Sequence, residues 1–549
     1  MHSESAFFKY SKEIAEDFLS TVLIVDDQAY FEDPNPVKPK LVVTPTSRKA
    51  GSKSKVDKTS PVPTENNQED SVGKSHDLDA KKVINSFAQK GILCTVIKPD
   101  EEELKCLDRT VIPLCNNADL IILDWELSQK SNSTALSLVK DAMACFTNSS
   151  PQQLRLIAIY TGSTDISGIY DSIKDELDKS YQTTPIPGSG CCCQIGSCRL
   201  LVFPKEATKT ADGVKPISFD ELAEFLVGEY TKMTKGLLSN TVMRSFSVIR
   251  KNSHKILKTF SGLDYPFLTH RTCLTRPEEA EEHSATLISD EIQSLLEEYN
   301  VGSASDMEAL RLFVEDQPQG KAYPLDHMAK GKPSLNTDQI VDLLQNGISP
   351  NERPQPDYLS NKEFSSEKIF NCLTQMYSHP KNCKNLDFEY AALTTLRSKY
   401  SDTLPCLALG TIIQDMSNQD KYWICLQPKC DSVRLSGDVS FPFLPLGDKG
   451  KIHCVVPDGP DSFVRKKISL KFSMCKTIEF KANAETGYIQ AAIRDKEFIF
   501  EDVSYKEFKF ICELKPEYAQ RLSNAFATEI SRVATNNSEW LRRCEAKNL

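Results

Sequence analysis

The 549-residue chain lacks any apolar run near the roughly 18 to 20 residues that a membrane helix needs. Its longest, such as Thr21 to Val25 and Leu120 to Leu123, are strand-sized. An excess of positive charge is also missing. The 66 Lys and Arg face 76 Asp and Glu, for a formal charge of −10, so no overall electrostatic footprint for nucleic acid exists. The opening MHSESAFFKYSKEIAEDFL mixes charge with aromatics and has no signal-peptide core, which predicts a cytoplasmic chain with no membrane association. Internal repeats, a phosphate-binding glycine loop, kinase or nuclease signatures and a helix-turn-helix are all absent, which excludes the usual nucleotide-driven enzymes and transcriptional outputs.

What is present starts with length, which sets an expectation of two to four domains. Five β-branched and leucine-rich runs follow one another: Thr21 to Asp27, Gly91 to Ile97, Ala118 to Asp124, Leu154 to Thr161 and Cys198 to Phe203. Such continuous runs are the mark of strands covered on both faces. Helical patterns lie between and after them, at Ala80 to Gln89, Ser133 to Phe146, Ser167 to Ser180 and Ser218 to Lys235. The alternation predicts an α/β domain over 1–235, built on a doubly wound five-stranded parallel sheet with right-handed crossovers.

Two insertions interrupt it. Asp33 to Asp79 holds six prolines and no Phe, Tyr or Trp, so it buries too little to offset its ordering entropy and is read as disordered, either a solvated loop or a docking arm. Gln182 to Ser197 carries Cys191, Cys192 and Cys193, with Cys198 just after. In a reducing compartment these thiols form a local loop, or else hold a soft metal.

From 236 to 397 the pattern is helical, with segments at Asp290 to Tyr299, Asp306 to Asp316 and Thr337 to Gly347, the last capped by Asn336 and stopped by Gly347 and Pro350. From 398 to 549 strands dominate, in KYWICLQ, DSVRL, KGKIHCVV, KKISLKFSM, GYIQAAI, EFIFED and EFKFICEL, before a closing helix over Pro516 to Arg543. The expectation is a β-rich α+β domain.

In a parallel sheet the carboxyl ends of the strands share one edge, where ligands bind. That edge would gather Asp26 and Asp27 after the first strand, Asp124 after the third, Thr161 after the fourth and Lys205 after the fifth. Carboxylates so close raise one another's pKa unless a cation offsets them, and Mg²⁺ with oxygen ligands does so. One carboxylate could then attack a phosphoryl group, with an ammonium and a hydroxyl placed for the charge on its oxygens.

LIVDD, LIILDW, AIYTG and the late FPK resemble the receiver domain of bacterial response regulators, over roughly Phe8 to Lys235 and in a flavodoxin-like fold. The resemblance implies that Asp124 is the phosphoacceptor, that Asp26 and Asp27 hold Mg²⁺ together with Asp124 and the backbone carbonyl of Glu126, that Thr161 is the switch hydroxyl and that Lys205 contacts the phosphoryl group. Departures from the family pattern are Pro204 before Lys205 with Glu206 after it, Val202 where an aromatic is usual, with Phe203 beside it, and a long spacing from Asp27 to Asp124.

The long insertions and the helical and β-rich tail are similar to divergent receivers of antiphage two-component systems of the Detocs type. That likeness implies a histidine kinase as phosphodonor, a separate effector as further partner, a phosphate-draining role, and no enzymatic activity beyond the domain's own phosphorylation and dephosphorylation. Two rivals remain: a degenerate receiver used as an interaction scaffold, and an enzyme in the tail cued by Tyr422, Trp423, Cys425 and Asp431. Weaker cues are His254 with Lys258 one turn on, the Cys425 and Cys430 pair, and the basic face of Arg250, Lys251, Lys255 and Lys258.

Overall fold

A computed structural model describes residues 4–31, 77–127, 133–147, 153–188, 190–206, 208, 213–274, 277, 279–316, 336–347, 374, 380–401, 403–459 and 462–531. The chain divides into two compact units, Met1–Pro318 with Ile340–Gln345, and Gln319–Gln339 with Asn346–Leu549.

The first unit runs α1 (Ala6–Phe18), β1 (Thr21–Val25), α2 (Ala80–Ala88), β2 (Leu93–Ile97), α3 (Leu107–Thr110), α4 (Ile112–Cys115), β3 (Leu120–Leu123), α5 (Ser133–Thr147), β4 (Leu156–Thr161), α6 (Ile166–Leu177), β5 (Thr183–Pro185), β6 (Cys192–Ile195), β7 (Cys198–Pro204) and α7 (Leu222–Thr234). The sheet order is β2-β1-β3-β4-β7-β6-β5. Its first five members pair in parallel, which is the flavodoxin-like order expected of the five sequence runs.

Residues alternate between two cores. Leu23, Val25, Ile121 and Leu123 face α3 to α6, while Val22, Ile24, Leu120 and Ile122 face α1, α2 and α7. Both faces are dry, which is why the strands carry no polar alternation. The helix α1 was not expected from the sequence. Ser5 caps it by accepting the Phe8 N–H at 3.1 Å, and Phe7, Phe8, Ser11 and Ala15 are buried along it.

The cysteine-rich segment is a correction. It is not a loop but a β5–β6 hairpin whose β6 pairs antiparallel with β7. Cys192 and Cys193 point to opposite cores, as successive strand residues must, and so cannot share an ion. Each behaves as a small apolar group, and burial pushes the Cys192 thiol up to about 12. Of the expected disordered stretch, 33–76 lies outside the described residues. Its end is ordered: Tyr30 and Asp79 form a parallel bridge, Leu78 is fully buried, and Asp79 caps α2 by accepting the Lys82 N–H at 3.0 Å.

Further helices follow: α8 (Leu237–Phe260), α9 (Asp264–Cys273), α10 (Glu279–Glu298), α11 (Met307–Asp316) and α12 (Thr337–Asn346). Asn240 on α8 donates to the Ser11 hydroxyl on α1 at 3.0 Å, and Ser247 to the Asp17 carbonyl at 3.0 Å. The cap expected at Asn336 is a reciprocal box: its side chain accepts the Gln339 N–H at 2.9 Å and Gln339 returns the bond at 2.9 Å. Pro350 lies outside the described residues.

The second unit contains α13 (Pro380–Thr395), β8 (Thr411–Asp415), β9 (Tyr422–Cys425), β10 (Asp438–Gly447), β11 (Ile452–Pro457), β12 (Phe463–Ile468), β13 (Lys476–Lys481), β14 (Ala492–Arg494), β15 (Glu497–Glu501), β16 (Glu507–Glu513) and α14 (Pro516–Ile530). The strands form an antiparallel sheet in the order β11-β12-β10-β9-β8-β16-β15-β14, with β13 on β10. On one face α13 and α14 pack through Ala392, Leu396, Ala519 and Leu522; the other gathers Phe441, Phe443, Phe480, Phe500 and Phe508. Gly410, at φ +92°, lets α14 approach, since a Cβ there would lie 2.9 Å from that of Ala519.

DSVRL is not a strand. Lys429–Asp431 form a 3₁₀ turn, the Ser432 hydroxyl donates to the Pro428 carbonyl at 2.8 Å, and Arg434 adopts φ +55° against Gly487. Local hydrogen bonds win there over β propensity. The closing helix is described as far as Ile530; 532–549 lies outside the described residues.

Candidate phosphoacceptor site

The four strand ends that carry polar residues converge. β1 stops where the Asp26 N–H donates to the Ile97 carbonyl at 3.0 Å, and β3 where the Asp124 N–H donates to the Val25 carbonyl at 2.9 Å. β7 runs beside β4, so that the Lys205 N–H meets the Thr161 carbonyl at 2.8 Å. From there the Lys205 ammonium reaches Asp26 Oδ2 at 2.7 Å and Asp124 Oδ2 at 3.0 Å.

Asp26, Asp124, Thr161 and Lys205 are buried, Asp124 exposing 4% of its surface, and Asp27 is half-buried. Ligand atoms of Asp26, Asp27 and Asp124 lie within 4.8 Å of one another, and no other such group occurs among the described residues. The Cys191 to Cys198 segment therefore forms no metal-ligating set there.

Asp26 and Asp124 share the Lys205 ammonium with Asp27 close by, and the imbalance is visible in the protonation of Asp124 and Asp27. Burial lifts the Asp124 carboxyl to about 6, with Asp26 adding and Lys205 opposing. Asp27 is also raised, by burial and then by Asp26. Burial alone would lower the Lys205 ammonium, but Asp124 and Asp26 outweigh it and hold its pKa up. Two carboxylate oxygens, Asp27 Oδ1 and Asp124 Oδ1, are buried without a hydrogen-bond partner. An orphaned buried anion is costly, and a hard cation with oxygen ligands is the group that offsets it. The residues present therefore fit Mg²⁺.

Residues 18–210 match the family model for the response receiver domain. Over that third of the chain the protein is similar to a receiver domain. No curated protein and no solved structure matches the chain. Receiver domains bind Mg²⁺ through an acidic pocket, and the Asp26, Asp27 and Asp124 group stands where such a pocket lies in this sheet. The match supports a phosphoacceptor signalling role in two-component systems, a setting in which receiver domains interact with histidine kinases and effectors.

Around that core the other expected residues take definite places. Thr161 ends β4, and its hydroxyl accepts the Ser163 N–H at 3.2 Å. The Glu126 backbone N–H helps to lower the Asp124 carboxyl, while the Glu126 side chain is exposed. Pro204 forms the last pair of β7 with Thr161, and its carbonyl accepts the Ile217 N–H at 3.1 Å. The Phe203 ring lies tilted 5.0 Å from that of Tyr160, whose hydroxyl donates to the Ile217 carbonyl at 2.8 Å. These two rings occupy β4 and β7 of the parallel sheet, where Val202 carries no aromatic.

Lys98 was not anticipated. It follows β2, donates to the Ala29 carbonyl at 2.7 Å and lowers the carboxyl of Asp27. The same strand-end logic that selected Asp26 and Lys205 would have found it.

The weaker cues do not join the site. His254 and Lys258 are exposed on α8, Cys430 is exposed, and Cys425 is a core residue whose thiol is pushed to about 12 by burial. Among the described residues no helix is long and apolar enough to cross a membrane.

Proposed function

We propose that this protein accepts a phosphoryl group from the phosphohistidine of a partner histidine kinase onto Asp124. A carboxylate oxygen of Asp124 attacks phosphorus, the P–N bond to the kinase imidazole breaks, and the aspartyl phosphate carries the group. Lys205 holds the Asp124 carboxylate and, as the charge moves outward, pairs with a phosphoryl oxygen. Thr161, at the adjoining strand end, supplies a hydroxyl donor.

Asp26, Asp27 and Asp124, with the Glu126 carbonyl, would hold Mg²⁺, whose chemistry is to neutralise phosphoryl oxygens. The observation that carries this reading is the pair of partnerless buried oxygens on Asp27 and Asp124 beside a buried lysine. The protein has no catalytic turnover of its own beyond forming and hydrolysing this adduct. Its place is cytoplasmic, and it drains phosphoryl groups from the kinase to restrain a separate effector, as in the Detocs-type systems that its sequence resembles.

A second reading, an interaction scaffold, is favoured by the near-complete burial of Asp124 under Lys205. One experiment separates the two. With a small phosphodonor and Mg²⁺ the phosphoacceptor forms a hydroxylamine-labile adduct that disappears in Asp124→Ala; a scaffold forms none.

A further inference from the structure

Between Asn252 and Leu295 the described residues include one buried side chain, Ala280. The stretch is nevertheless helical almost throughout, comprising the last third of α8, all of α9 and most of α10. The ten-residue α9 buries nothing. Isolated helices shorter than about 12 to 15 residues are marginal in water, so helices of this kind draw their stability from packing. Among the described residues no packing partner covers this stretch, and the apolar groups that need one are in view: Leu257 is 74% exposed, Tyr265 81%, Leu268 55%, and Leu287 and Ile288 over 40%. Singly exposed apolar residues are ordinary, but a contiguous set on one helical arm marks an interaction surface.

Charge identifies the occupant. α8 carries five Lys and Arg and no acid, whereas α10 carries seven Asp and Glu and no Lys or Arg. The two helices pack side by side, yet among the described residues no ion pair joins them: Arg250 and Lys251 turn to Asp119 and Asp17, and Glu281 turns to Arg271. A surface with one basic and one acidic ridge is complementary to itself after a two-fold rotation, which sets α8 of one copy on α10 of the other. Two adjacent helices present a face roughly 30 Å long and 20 Å wide, the scale of the roughly 800 Å² per partner of a standard interface.

We propose that the α8–α10 arm dimerises this protein, forming an antiparallel four-helix bundle with a second copy of the chain. The dimer covers Leu257, Tyr265, Leu268, Leu287 and Ile288 and pairs the Lys255 and Lys258 ridge with the Asp290 and Glu291 ridge. Higher salt weakens the association, because its steering charges lie at the surface.

Sedimentation of the full chain tests this. The wild type sediments as a dimer, and Leu257→Glu with Leu268→Glu sediments as a monomer with at least ten-fold weaker association. A charge exchange guards against simple misfolding. Lys255→Glu with Lys258→Glu, and separately Asp290→Lys with Glu291→Lys, each give monomers, while their mixture restores a one-to-one dimer. A wild-type chain that is monomeric throughout would overturn the proposal, since the arm is then covered by the chain itself. An apolar double variant that folds and stays dimeric, or a mixture that fails to reassociate, overturns it equally.

Discussion

Each unit of this protein buries a carboxylate at the end of a strand, and the two are treated in opposite ways. Asp415 ends β8 in the antiparallel sheet; the Ser417 N–H reaches it at 3.0 Å, the Ser417 hydroxyl at 2.5 Å and the Lys506 ammonium also bonds it. Burial pushes its pKa up, but the Lys506 and Ser417 hydrogen bonds outweigh that and hold it below the usual carboxylate range. Asp124 ends β3 in the parallel sheet, shares one lysine with Asp26, keeps an unpartnered oxygen and rises to about 6. Satisfied, a buried acid is a structural clasp; left short of partners beside two others, it is a site waiting for positive charge.

The largest effect that sharpens this contrast is Lys205→Met. Removing the ammonium strands Asp26 and Asp124 in the interior, and about 3–5 kcal/mol of stability is lost from the first unit at pH 7. Urea titration read by Trp125, which is buried beside Asp124, measures it. An unchanged midpoint would erase the contrast.

Next comes Mg²⁺ itself. At about 100 times its dissociation constant it adds roughly 2.7 kcal/mol to the first unit and nothing to the second, by mass action. Calorimetry of the wild type beside Asp27→Asn resolves this, the variant responding less.

The pH dependence differs in sign between the two acids. The folded value of Asp124 lies above its ordinary one, so the folded state holds that proton more tightly, and acidifying from about pH 7 to 5 stabilises the metal-free first unit. Asp415 is displaced downward, so its contribution persists to about pH 4 and is lost only below. Melting curves without metal that fall together on mild acidification would contradict both assignments.

The smallest effect is Lys506→Met. The lysine is a third exposed and Ser417 remains, so the loss is about 1 kcal/mol and indifferent to Mg²⁺.

How far the sequence revealed all this follows from where polar residues fall. The five parallel strands were legible because both faces are covered, leaving unbroken apolar runs. The site was legible because Asp26, Asp27, Asp124, Thr161 and Lys205 each sit at the end of such a run or within two residues past it. β6 was hidden because three cysteines suggest ligands or a loop before they suggest a strand. β10 was hidden by Pro442 and Pro445, which argue against an interior strand. In the structure their carbonyls accept N–H bonds from Leu426 at 2.9 Å and Ser469 at 3.3 Å, while Phe441 and Phe443, on either side of Pro442, fill the core. DSVRL misled in the other direction, since β-branched character says nothing about whether a neighbouring strand exists to pair with. The partner of the α8–α10 arm was unreadable because Leu257 and Leu268 look alike whether they face a core or water.

The hairpin β5–β6 also settles how the sheet meets other molecules. Without it the seven-residue β7 would be a long, flat, apolar border able to template a stranger's backbone. With it that border is the three-residue β5, ended by Pro185, which has no N–H to offer. A chain that must survive synthesis with several hydrophobic strands exposed thus finishes its parallel sheet in a blunt rim that resists runaway polymerisation.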